Sequence, residues 1–128
     1  MMWRTGFPAC SVLIVALLAG CSSFNMAPSC DETGPGLQRH LVAPNSRVAP
    51  DYARLSELIE VSAIAEINSG YNYRICEAQI VALGQPRSVR YHVEQSEGVQ
   101  GWYEIELLNL GEGGLADFII ELRAAYAN

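Results

Sequence analysis

The chain has 128 residues, half of them hydrophobic, with fourteen acidic residues against eight arginines and no lysine, for a formal net charge of −6. Such an acid excess does not suit nucleic acid or an anionic lipid surface as a partner. The length suits one small core, and no internal repeat is visible.

In chain order, the first feature is an apolar run from Val12 to Cys21, preceded by Arg4 and the amino terminus. It is shorter than the roughly 20 apolar residues a spanning helix needs, and the order of charge and apolar run is that of a secretory signal peptide. The run ends Leu18-Ala19-Gly20-Cys21. This tetrapeptide resembles the lipobox of bacterial lipoprotein precursors, in which the cysteine thiol is lipidated and the signal is cut just before it. The resemblance covers only the first twenty or so residues. It implies a signal peptide over residues 1–20, palmitate or a similar acyl chain at Cys21, and the membrane as a partner through that lipid. Ser22, rather than Asp, implies the periplasmic face of the outer membrane in a Gram-negative cell envelope. The alternatives are a plain signal peptide or an uncleaved anchor.

Cys10 lies in the signal and Cys21 is the lipid site, so Cys30 and Cys76 remain. In an oxidising compartment they are expected to form a disulfide, the alternative being two free thiols with Cys76 packed in the core. Neither belongs to a Cys-x-x-Cys pair, so no metal site is expected.

Residues 21–50 read as a lipidated cysteine and flexible tether: Pro28, Pro35, Pro44 and Pro50 accompany Gly34 and Gly36, with few large apolar side chains. His40 in this stretch is expected to be solvated. The folded domain is expected over residues 51–128. Asp51 can cap a helix carrying Leu55, Leu58, Ile59, Ser62 and Ala63 toward Asn68-Ser69-Gly70. Over residues 59–67 Ile59, Val61, Ala63, Ala65 and Ile67 alternate as a strand would, which is the rival reading; the alanines and glutamates make the helix the preferred one.

Tyr73 to Leu83 reads as a strand ended by Gly84-Gln85-Pro86, with a short helix as the alternative. Val89, Tyr91 and Val93 then alternate with polar residues, as do Tyr103, Ile105 and Leu107, which predicts a hairpin. Matching apolar faces about Gly98 pairs Val93 with Tyr103, Tyr91 with Ile105 and Val89 with Leu107. On the other face this sets Arg90 against Glu106, His92 against Glu104 and Glu94 against Trp102. Leu115, Phe118, Ile119, Leu122 and Tyr126 recur at helical spacing after Gly113-Gly114, so a final helix should cover one sheet face. The predicted fold class is α+β: a small antiparallel meander of about three strands with an N-terminal and a C-terminal helix packed on it.

Chemistry is sparse in this pattern. Glu104 and Glu106 share one strand face as a carboxylate pair might, but as neighbours on a solvated face. His92 beside Glu104 suits cross-strand charge pairing better than acid–base work, and two groups do not complete a metal site. No Gly-x-Ser-x-Gly elbow surrounds a serine, and the glycines at 111, 113 and 114 lack the lysine of a phosphate loop. The expectation is a non-catalytic, cofactor-free binding or structural module with an envelope protein as partner, contacted through Arg90, His92, Trp102 and Glu104. Trp102 stands out because tryptophan often carries binding energy, although it could equally pack as core. The alternative function is a small periplasmic hydrolase using His92 and nearby carboxylates.

Overall fold

The computed structural model describes residues 26–43, 51–96 and 102–128. The signal peptide, Cys21, the stretches 22–25 and 44–50 and the hairpin loop around Gly98 lie outside these residues. Four strands, β1 (Glu60–Ser69), β2 (Tyr73–Ala82), β3 (Gln85–Gln95) and β4 (Tyr103–Leu107), form one antiparallel sheet in the order β1-β2-β3-β4. Helices α1 (Gly34–Val42), α2 (Tyr52–Leu58) and α3 (Leu115–Ala127) complete an α+β fold, with one strand and one helix more than the pattern predicts.

Helix α1 is a correction to the tether. Leu37 and Leu41, one turn apart, are fully buried, and Val42 joins them in the same core. Pro35 does not oppose this helix, because the first turn needs no intrahelical N–H and proline's φ already suits it. A 3₁₀ turn, Cys30–Thr33, leads into α1, and Cys30 is bonded to Cys76 on β2 with 5.8 Å between their Cα atoms. Thr33 Oγ1 donates to the Cys30 carbonyl at 2.7 Å and lies 2.8 Å from the buried Tyr91 hydroxyl. Gln38 Nε2 donates to the Ile59 carbonyl at 2.8 Å. A proline- and glycine-rich composition thus marks the entry to a helix here, and a short apolar stripe plus a covalent staple offsets its ordering entropy.

The helix preferred for residues 51–67 is corrected here: it holds only over Tyr52–Leu58, and residues 60–69 form the rival strand. The Asp51 carboxylate caps α2, accepting from the Arg54 amide at 3.2 Å. At Ile59 the backbone turns extended, and β1 begins at Glu60. The alternation does not run through the strand. Ala63 adopts φ 51°, and the pairing with β2 shifts between Ser62 and Ala65 and again between Glu66 and Asn68. As a result Val61 and Ile64 pack toward the core, while Ala63, Ala65 and Ile67 are exposed.

On β2 and β3 the period of two holds. Cys76, Ala78, Ile80 and Ala82 on one, and Val89, Tyr91 and Val93 on the other, point into a core closed by Leu115, Phe118, Ile119 and Leu122 of α3. Leu83 and Gly84, with φ of 54° and 71°, make the two-residue turn between them, the left-handed geometry that matches strand twist.

The β3–β4 register differs from the expected one by two residues. Tyr91 faces Leu107, Val93 faces Ile105 and Gln95 faces Tyr103. A two-residue slip keeps every side chain on its face, so alternation cannot detect it. The buried Asn109 side chain helps to set the register. Its Oδ1 accepts from the Arg90 amide at 2.9 Å and its Nδ2 donates to the Ser88 carbonyl at 3.0 Å, continuing the ladder past the Leu108 amide, which donates to the Arg90 carbonyl. Replacing Asn109 by Ala leaves two backbone groups without these partners. It should cost about 2 kcal/mol, read as a lower urea midpoint at unchanged slope.

Candidate functional site

Two surfaces carry the chemistry-bearing side chains. The first is the sheet face turned away from the core, where Arg90, His92, Glu94, Glu104 and Glu106 alternate with the buried or half-buried residues of β3 and β4. The observed register sets His92 against Glu106 and Glu94 against Glu104, so the expected pairs His92 with Glu104 and Arg90 with Glu106 are not formed. Nor does Trp102 face Glu94, since its carbonyl accepts from the Ser96 amide. His92 stacks on Tyr73 with ring centroids 5.2 Å apart, and its Nε2 lies 3.9 Å from Glu94. Arg90 approaches Glu112 at 3.7 Å, an exposed pairing of little energetic weight. Among the described residues these groups stand on the sheet face turned away from the core, where water screens them in part.

The second surface is a groove of about 710 Å³ between α1 and the outer edge of β4. Trp102, Tyr103 and Tyr52 contribute aromatic surface, and Arg39, His40 and Glu104 supply polar and charged groups. At Gly36 the helix meets the strand closely: a Cβ there would clash with the Tyr103 hydroxyl. A side chain at that position would displace the tyrosine ring from its place against α1. Partial burial, with Tyr52 and Glu32 nearby, raises the Tyr103 pKa, so the phenol stays a neutral donor and acceptor at neutral pH. Trp102 is 68% exposed on the rim, which removes the core reading of this residue.

Thus Trp102 and Glu104 of the sequence-derived patch line the groove, whereas Arg90 and His92 belong to the open sheet face. Sequence reasoning missed Arg39, His40, Tyr52 and Tyr103, because the groove exists only once residues 34–42 fold as a helix beside β4. An i, i+4 pair of leucines at 37 and 41 was the available signal. His40 is not a solvated tether residue. Its pKa is lowered, first by burial and then by the charge of Arg123, whose Nε donates to the Leu41 carbonyl at 2.9 Å.

A depressed histidine pKa means the folded state resists protonation, so its contribution is present above the unfolded pKa of about 6.5 and is lost as pH falls. Melting temperature should therefore decline from about pH 6.5 downward, and His40→Gln should flatten that part of the profile. An identical decline in both proteins would remove His40 as its source.

Among the described residues, no group of three or more His, Cys, Asp or Glu is placed to hold a metal ion, and no helix is long and apolar enough to cross a membrane. The groove offers an aromatic surface beside groups of both charges, an arrangement suited to binding an amphipathic ligand edge or peptide segment. Comparison of the chain with protein-family models, with curated proteins and with solved structures gives no match to any of them.

Proposed function

We propose that this protein is a lipid-anchored lipoprotein of the bacterial cell envelope that acts as a non-catalytic binding module, holding an envelope partner at the groove between α1 and β4. The observation that carries the binding role is Trp102, 68% exposed on the rim of a groove that also contains Tyr52, Arg39 and Glu104. A large aromatic left in water beside charged groups is the composition of an interface anchor, where tryptophan and arginine supply much of the energy. The anchoring role is supported by Arg4, the apolar run and Leu18-Ala19-Gly20-Cys21. With two or more acyl chains on Cys21, attachment is stable without any basic surface.

Each half has its own test. Cys21→Ser should yield an unprocessed precursor that takes up no labelled palmitate, whereas unlabelled, freely soluble wild-type protein would end the lipoprotein reading. For binding, a photo-crosslinker at Glu104 should give a discrete adduct in intact envelopes, and Trp102→Ala should abolish it with the unfolding free energy changed by less than about 0.5 kcal/mol, as for an exposed side chain. An adduct that persists in Trp102→Ala would remove the groove from the binding role.

A further inference from the structure

The described chain starts close to Cys21. The Met26 amide donates to the Tyr71 carbonyl, Ala27 is 4% exposed, and Cys30 is covalently tied to β2. Five residue steps separate Cys21 from Met26. Even fully extended they span at most about 18 Å. If Cys21 carries acyl chains, the domain therefore cannot stand far off the bilayer on a long arm.

The short link also selects an end of the sheet. Met26 is bonded to the turn joining β1 and β2, so that turn is the part nearest the anchor. Residues 67–73, Ile-Asn-Ser-Gly-Tyr-Asn-Tyr, contain no charge in an otherwise acidic chain, and neither does any residue from Cys21 to Cys30. At this end Tyr71 is 75% exposed, Ile67 52% and Met26 49%. Tyrosine with flanking apolar side chains suits the headgroup boundary, where the ring sits in an apolar layer and the hydroxyl stays wet. The opposite end, at Leu83-Gly84, is followed closely by Arg87 and lies the full ten-residue length of β2 away from the β1–β2 turn.

We propose that the β1–β2 end, through Met26, Ile67 and Tyr71, rests in the interfacial layer of the bilayer that holds the acyl chains of Cys21, an inference that depends on the lipoprotein reading above. The contact orients the domain. The β3–β4 loop leaves the sheet at this same end, since the Gln95 amide donates to the Asn72 carbonyl and the Ser96 amide to Trp102. The groove therefore opens close to the membrane surface, toward partners lying on or near it.

The test uses acylated mature protein in protein-free vesicles of phosphatidylethanolamine and phosphatidylglycerol. Vesicle flotation and intact mass report the anchor, and amide hydrogen exchange reports the contact. The expected result is exchange about tenfold slower at residues 70–73 than in the unacylated domain, with no change at the Leu83-Gly84 turn. Tyr71→Ser, or Tyr71→Ser with Ile67→Ser, should restore fast exchange while the protein still floats. Floating protein whose two ends exchange as in the unacylated domain overturns the contact and leaves the anchor standing. Absence of an acyl mass on Cys21 overturns both. Protection seen in native membranes but not in protein-free vesicles would mean that a protein covers this end, which also overturns the proposal.

Discussion

Cys30→Ser with Cys76→Ser should lower the stability of the folded domain by about 4 kcal/mol, the largest effect expected of any change considered. The bond closes a separation of 46 residues, and a crosslink of that reach removes several kcal/mol of loop entropy from the unfolded chain. The two cysteines are 3% and 0% exposed, so serine would also place hydroxyls among apolar neighbours. A domain of this size has about 5–15 kcal/mol in total, so the variant should be marginal at 37 °C. Urea unfolding of oxidised, reduced and double-serine protein checks this directly. Alkylation of Cys30 in the native, unreduced protein would show that the bond does not form.

Leu41→Ala should cost about 3 kcal/mol, the range for truncating a fully buried leucine with partial collapse of the cavity. Leu41 is 0% exposed, and the helix bearing it also buries Leu37 and Val42 in the same core. Residues acting only as a tether would tolerate the change with no shift in the denaturation midpoint, so the measurement separates the two accounts of this stretch. The same variant should loosen the groove wall, because Gly36, Arg39 and His40 stand on the same helix. A crosslinked adduct formed at Glu104 should weaken in parallel with stability.

Both predictions concern the segment that was least legible from its residues. Four prolines and two glycines between 22 and 50 look like disorder when counted, but their positions matter more than their number. Pro35 occupies the first turn of α1, where proline is tolerated, and Gly36 admits the ring of Tyr103. Leu37 and Leu41 alone cannot stabilise a nine-residue helix in water. Its partners lie outside the helix, from Ile59, 21 positions from Gln38, to Arg123, 82 positions from Leu41, and a window along the chain cannot see them.

The sequence by itself determined the faces of β2, β3 and α3 and the cap at Asp51, and it pointed to three of the four strands of the antiparallel meander and to the pairing of the two remaining cysteines. Each follows from a local rule: side-chain period, a capping carboxylate or simple arithmetic on thiols. Only tertiary structure decided where α2 gives way to β1, because Leu55, Ile59, Val61 and Ile64 are apolar at spacings compatible with either state and the core determines which of them it covers. The two-residue offset of β4 was likewise undecided by alternation, which repeats every two residues. It rests on contacts such as the Asn109 clamp across β3. The groove belongs to this second class, since it is the space left between a helix and a strand edge more than 60 residues apart, and such a space has no signature in either element alone.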